Sequence, residues 1–70
     1  MTEYVVIYEQ AGDGSWGAYS PDIPGVISAG DTREEVERNM REAIRLHLDE
    51  LRRRGQPIPE SRNIVGTVTV

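Results

Sequence analysis

The chain opens with a run of apolar residues in which both alternating faces are apolar. The stretch EYVVIYEQ is rich in β-branched and aromatic residues and predicts a first strand. Its apolar side chains alternate between the two faces of that strand: Tyr4, Val6 and Tyr8 on one, and Val5 and Ile7 on the other. The pattern therefore predicts a strand that is covered on both sides or is central in a sheet.

Two further strands are predicted before the helix. AGDGS has the turn residues of a hairpin, and WGAYS returns as a second strand. Along this strand the side chains again alternate: Trp16, Ala18 and Ser20 share one face, and Gly17 and Tyr19 share the other. PDIPG should interrupt the ladder because neither proline can donate a hydrogen bond. VISA is then a short third strand.

A long amphipathic helix follows. Thr32 and Glu35 form a capping box, and Gly55 is a natural residue to end the helix, which should run from Arg33 to Arg54. Apolar or weakly polar residues recur at steps of three and four and form one stripe: Val36, Met40, Ala43, Ile44, His47, Leu48 and Leu51. The stripe predicts that one side of the helix packs on the sheet.

The closing stretch IVGTVTV, residues 64–70, is rich in β-branched residues and can pair back into the sheet or with another subunit. The order β-β-β-α-β predicts an α+β fold: a small antiparallel sheet with one long helix on one face, in a single domain over residues 1–70. One helix cannot cover both faces of the first strand, so we expect a homo-oligomer. The candidate interface residues are aromatic or apolar: Tyr4, Val6, Tyr8, Trp16 and Tyr19.

The amino-acid composition and net charge exclude or disfavour several classes of protein. The 70 residues include no cysteine, so disulfides and thiolate chemistry are excluded. The formal net charge is -4, which disfavours direct binding to nucleic acid and suits a basic protein partner. No segment has the length of a membrane span or the form of a signal peptide, so we expect a soluble, cytoplasmic protein.

The histidine, the loop aspartates and the glycine motif are residue types that form catalytic, metal or cofactor sites in other proteins. Their spacing in this sequence predicts no such site. His47 has no nucleophile or second titrating group at a recognisable spacing, and a packing role is favoured. Asp13, Asp22 and Asp31 lack the dense alternating spacing of a calcium loop. The G-x-G-x-x-G match at residues 12–17 leads into a strand, whereas the phosphate-binding motif opens a helix.

Several of these features together resemble the HicB-like antitoxin family over nearly the whole chain. The similarity lies in the tyrosine-led first strand, the D-G turn, the loop PDIPGV, GDT with EE at the helix start, and GQPIP after the helix. It implies a partial ribonuclease-H-like fold that assembles into dimers or tetramers. It also implies that the domain binds and blocks HicA, a small basic toxin that cleaves mRNA. Many members carry a C-terminal DNA-binding domain, and this chain stops at Val70, so we do not expect it to bind its own operator.

The stretch SPDIPGVISAGDTREEV admits two interpretations. Its prolines, glycines and helix cap suffice to turn the sheet into the helix, and this corner role is favoured. The alternative is a rigid acidic surface that a partner binds, with four candidate residues: Asp22, Ile23, Asp31 and Glu34. Two other functions remain open: an orphan regulatory or scaffold oligomer without a toxin, and, less favoured, an RNA-processing enzyme.

Overall fold

Three antiparallel strands precede one long helix in the computed structural model, which describes residues 2–70. The elements are β1 (Ile7–Gln10), β2 (Trp16–Ser20), β3 (Ile23–Gly30) and α1 (Arg33–Arg53). The strands lie in the order β1-β2-β3, so each pairs with its neighbour in the sequence. The predicted α+β class, with one helix packed on a small antiparallel sheet, is confirmed.

The hairpin between β1 and β2 is closed by local hydrogen bonds. The backbone N–H and the hydroxyl of Ser15 donate to one carboxylate oxygen of Asp13, at 3.0 and 2.6 Å. These bonds, the hydroxyl first, lower the pKa of Asp13 below its usual value of 3.8 because they favour the charged carboxylate. Gly14 has a φ of 90°, which a residue with a side chain rarely adopts.

The first strand is shorter than predicted. It begins at Ile7, whose partner across the ladder is Tyr19, whereas the sequence pattern begins at Glu3. In this register Val6 lies opposite Ser20, the last residue of β2, so the residues before Val6 extend beyond the end of their neighbouring strand. An extended segment forms a β-strand only where a neighbouring strand is present to exchange main-chain hydrogen bonds with it.

The third strand is longer than predicted and includes part of PDIPG. β3 starts at Ile23, and the ladder with β2 continues through a register shift between Tyr19 and Ser20. Ser20 pairs with Ile23 and Tyr19 pairs with Ile27, so residues 24–26 have no partner in β2 and the ladder is interrupted there, as predicted. What was not predicted is that the strand itself already begins at Ile23. β3 is an edge strand, where a proline such as Pro24 does not have to donate a hydrogen bond. Gly25 has a φ of 86°, a backbone conformation that allows the register shift at this point.

Gly25→Ala should lower the free energy of unfolding by about 1 kcal/mol, because an L-residue is strained at positive φ. The expected loss of stability does not come from a steric clash, since no atom lies within 4 Å of a Cβ built at this position. Gly12→Ala is the matched control, because a Cβ there also meets nothing within 4 Å and its φ is not in the left-handed range. Urea unfolding of both variants measures the difference; equal stabilities would contradict the role assigned to Gly25.

Both ends of the helix have the caps that the sequence predicts. The Thr32 hydroxyl oxygen accepts from the backbone N–H of Glu35 at 3.1 Å, and the Glu35 carboxylate accepts from the N–H of Asp31 at 3.3 Å. At the other end, Gly55 has a φ of 68° and donates to the carbonyl of Arg52, and Gln56 donates to the carbonyl of Leu51. This pair of bonds is a Schellman motif, which stops the helix.

The core lies between the helix and one face of the sheet. Its buried apolar residues come from β2, β3 and α1: Ala18, Ile23, Val26, Val36 and Met40. Half-buried residues surround them: Tyr4, Val6, Tyr8, Trp16, Ala43 and Ile44. The predicted helix stripe is confirmed at its N-terminal end, because Val36 and Met40 are almost completely buried. Further along the helix, Ala43 and Ile44 are half-buried.

The predicted fourth strand is not formed in this chain. Residues 55–70 have no regular secondary structure, and the sheet in residues 2–70 has three strands. Ile64 and Val68 are 93% and 86% exposed, so the apolar side chains of this stretch are in water. The β-rich sequence has the composition of a strand, but in this structure it pairs with neither edge of the sheet. Pairing with another subunit stays a prediction.

Candidate partner-binding surfaces

Asp22, a candidate partner residue, holds the C-terminal segment. Its carboxylate accepts hydrogen bonds from the backbone N–H groups of Arg62 and Asn63, at 3.2 and 3.4 Å. The side-chain amide of Asn63 donates to the same carboxylate. We call this set of contacts the Asp22 clamp. The corner between β2 and β3 therefore fixes where residues 62 and 63 lie.

The second contact of this segment lies beside the N-terminal residues. The hydroxyl of Tyr4 donates to the carbonyl of Pro59 at 2.7 Å, and Ile58 and Pro59 are half-buried there. Between Pro59 and Asn63 the chain thus passes from the side of β1 to the corner between β2 and β3. Residues 64–70 follow directly, and all of them are exposed.

The four candidate partner residues do not form one patch. Ile23 is completely buried in the core, so it supports the corner from inside. Asp31 and Glu34 are both exposed and lie together where the helix begins. Asp22 lies at the other end of β3, about 25–30 Å from Asp31 at 3.3 Å per residue. The structure therefore brings Asp31 and Glu34 together and separates Asp22 from them.

The candidate oligomer residues divide between the two faces of the sheet. Four of them, Tyr4, Val6, Tyr8 and Trp16, are half-buried and pack against the core of their own chain. Tyr19 lies on the face turned away from the helix, which we call the open face. There it pairs with Ile7 of β1 and Ile27 of β3, making one apolar row across the sheet. Tyr19 and Ile27 are 40% and 75% exposed, so this row is the apolar part of the open face.

A groove between β1 and the helix was not predicted from the sequence. It has a volume of about 440 Å³ and is open to solvent. Its lining is about equally polar and apolar: Tyr4, Val6, Tyr8, Met40 and Ile44 lie beside Thr2, Glu3, Glu37 and Arg41. We call it the β1–helix groove. A second space of about 350 Å³ shares Tyr4 and Ile44 and leads toward Leu48 and Ile58. Arginines border it at Arg41, Arg45 and Arg52. Their spacing of four and seven residues beside the apolar stripe was the signal in the sequence.

Exposed ion pairs lie along the helix. Arg41 lies 3.1 Å from Glu37, Arg52 lies 3.0 Å from Asp49, and all four side chains are about half or more exposed. Such pairs contribute little to stability and keep the surface soluble. His47 is half-buried on the inner side. In residues 2–70, no group of three or more histidine, aspartate or glutamate side chains is arranged to hold a metal ion. Nor does any helix in this range have the length and apolar character to cross a membrane.

Two relatives of similar length come from Synechocystis and Thermoplasma acidophilum. A UPF0150 protein of Synechocystis is 37% identical over 67 residues, which cover 96% of this chain and 85% of the relative. A UPF0150 protein of Thermoplasma acidophilum is 33% identical over 57 residues, covering 81% of this chain and 83% of the relative.

A solved structure has the same fold. The N-terminal domain of the Burkholderia pseudomallei antitoxin HicB matches with a TM-score of 0.71 and 31% identity, over 89% of this chain and 69% of that one. The model of the HicB-like antitoxins of bacterial toxin–antitoxin systems matches residues 4–69. That match includes the three strands, the capped helix and the segment held by Asp22. The chain therefore belongs to the HicB-like antitoxin family.

Proposed function

We propose that this chain is a non-enzymatic antitoxin: it binds a small, basic, HicA-type toxin in the cytoplasm and blocks its cleavage of mRNA, acting as a dimer or tetramer. The observation that supports this best is the similarity to the HicB domain, which extends over 89% of the chain with a TM-score of 0.71. Membership of the antitoxin family points in the same direction.

The charge of the chain suits a basic partner. At a net charge of -4, the protein attracts a basic toxin over the Debye length, and this attraction mainly raises the rate of association. Asp31 and Glu34 are exposed beside each other at the start of the helix, on a backbone that the Thr32 cap holds in place. A rigid acidic site loses little conformational freedom on binding. We therefore assign toxin contact to Asp31 and Glu34.

The antitoxin function predicts that a small basic protein is encoded next to this gene, and the direct test uses that protein. Its expression alone should arrest growth and degrade mRNA, and co-expression of this chain should restore growth. The two proteins should co-purify, and mass measurement of the complex gives their ratio. If the purified chain neither binds that protein nor reduces its cleavage of RNA, the antitoxin function is wrong.

The double variant Asp31→Lys, Glu34→Lys should weaken toxin binding about tenfold, mostly through slower association, because it reverses the charge of the proposed contact. Surface plasmon resonance at low and physiological salt measures the two rate constants. The melting temperature should fall by only a few degrees: both side chains are exposed, and replacing Glu34 in the first turn of the helix costs about 0.3–1 kcal/mol of interaction with the helix dipole.

Glu42→Lys, Asp49→Lys is the matched control. It makes the same change in net charge at two exposed positions further along the helix. If both double variants lose the same affinity, the attraction comes from overall charge, and the assignment to Asp31 and Glu34 is wrong.

The alternative is a regulatory or scaffold oligomer that has no toxin. The apolar row on the open face favours it, because Ile27 is 75% exposed and covering it requires another chain but not a toxin. A stable homo-oligomer with no affinity for the neighbouring gene product would support this alternative.

A further inference from the structure

The charges of this chain are divided unevenly between the sheet and the helix. Residues 1–32, which include all three strands, contain five acidic residues and no arginine or lysine: Glu3, Glu9, Asp13, Asp22 and Asp31. The other seven acidic residues and all eight arginines follow from residue 33 onward. The first part therefore has a formal charge of -5 and the second part has +1, which together give the net charge of -4. A basic partner is thus attracted to the side of the sheet.

The open face of the sheet has an apolar centre. Its apolar row crosses all three strands, and Tyr19 and Ile27 in that row are 40% and 75% exposed. The neighbouring row contains Gly17 paired with Ala29, and these small residues leave the surface there nearly flat. The ladder hydrogen bonds hold the backbone under both rows, so little conformational freedom is lost when another protein covers them. Exposed apolar surface of this kind marks a protein–protein contact.

Carboxylates lie at the margin of this apolar centre. Glu9 is exposed on β1, where it pairs with Gly17 of the second row. Asp31 is also exposed and directly follows β3, at the same end of the sheet as Glu9. Because residues 1–32 contain no basic side chain, none of their charges repels a cationic partner. The apolar centre of such an interface provides most of the affinity, and the charges at its margin raise the rate of association.

The helix side of the molecule has a groove of the opposite character. The space that leads from the β1–helix groove toward Leu48 and Ile58 is bordered by Arg41, Arg45 and Arg52. Within residues 2–70, these arginines are the charged residues that line it. Like charges disfavour a basic partner at this groove, and the open face is the apolar surface that remains for it.

We propose that the open face of the sheet is the surface that contacts the basic toxin, with the apolar row at the centre and Glu9 and Asp31 at the margin. This inference rests on the proposed function, because the partner is the toxin of that proposal. The matching surface of the toxin has exposed apolar side chains next to lysine or arginine. Asp31, assigned to toxin contact above, then belongs to the edge of a larger surface, and Tyr19 contacts the toxin at its centre.

The isoleucine methyl groups can show which side of the chain the toxin covers. The chain is labelled at its isoleucine methyl groups, and the unlabelled small basic protein encoded by the neighbouring gene is added during NMR measurement. The methyl signals of Ile7 and Ile27 on the open face should shift. Those of Ile44 and Ile58, which line the groove on the helix side, should stay in place. The reverse pattern would overturn the proposal.

Ile27→Ala should weaken toxin binding about tenfold, because it removes apolar area from the centre of the interface. Leu46→Ala is the matched control: Leu46 is 60% exposed on the helix, and its truncation should leave the affinity unchanged. Circular dichroism should show both variants folded, since both side chains are exposed. Equal affinities of the two variants for the toxin would contradict the assignment of the open face.

Spectra of the chain alone test the other possible occupant of the open face, a second copy. If the signals of Ile7 and Ile27 already shift as the protein concentration rises without toxin, a second copy covers this face and the proposal is wrong. Toxin binding that is as tight in Ile27→Ala as in the original chain would overturn the docking surface and leave the proposed function standing. An original chain that binds no toxin would refute the proposed function itself.

Discussion

Ile23→Ala is expected to lower the free energy of unfolding by about 2–5 kcal/mol, the range for removing a large aliphatic side chain from a core. Ile23 is completely buried, between the sheet and the helix, in a cluster that includes Val36 and Met40. A domain of this size has a total stability of about 4–10 kcal/mol, so the variant should be partly or wholly unfolded at 37 °C. Urea and thermal unfolding, at one fixed protein concentration, measure the loss.

Ile27→Ala is the matched control, because it makes the same substitution in the same strand. Ile27 is 75% exposed on the open face, so its truncation should cost less than about 0.5 kcal/mol. The comparison also tests the role of Ile23 in partner binding. Because Ile23 is buried, any loss of toxin binding in Ile23→Ala should be proportional to the fraction of unfolded protein. Under conditions where the variant is folded, its toxin binding should be normal. Equal unfolding losses for the two variants would contradict the assignment of Ile23 to the core.

The sequence predicted the elements whose signals are local. The helix ends were predictable because Thr32 and Gly55 satisfy backbone groups within one turn of their own positions. The first and last residues of a strand depend instead on where the neighbouring strand begins and ends. β1 begins at Ile7 because β2 ends at Ser20, and β3 continues through Pro24 because it is an edge strand. The alternation of apolar and polar residues along a strand does not show where its neighbouring strand ends or whether the strand lies at an edge of the sheet.

The candidate surfaces were less predictable for the same reason. Asp22 and Asp31 are close in the sequence, but β3 between them is extended and places them at opposite ends of the sheet. The bonds from Arg62 and Asn63 to Asp22 join residues 40 and 41 positions apart, which no local pattern indicates. The first strand has apolar residues on both faces, but the prediction that it is central in the sheet was wrong, because β1 lies at an edge. The sequence could not show, however, that Tyr4, Val6 and Tyr8 face the helix and that Ile7 lies on the open face.

Ser20→Ala is expected to raise the free energy of unfolding by about 1–2 kcal/mol, because it removes a buried hydroxyl that has no hydrogen-bond partner. Ser20 is 4% exposed, and within residues 2–70 no polar atom satisfies its Oγ. Ser28→Ala is the matched control: Ser28 also faces the helix, opposite Ala18, but it is only half-buried, so its hydroxyl is still hydrated. The control should change stability by less than about 0.5 kcal/mol, which also accounts for the strand propensity of alanine. If Ser20→Ala is instead destabilising, its hydroxyl donates to a carbonyl of the sheet in solution, and the corner at the end of β2 is more tightly packed than the contacts of Ser20 indicate.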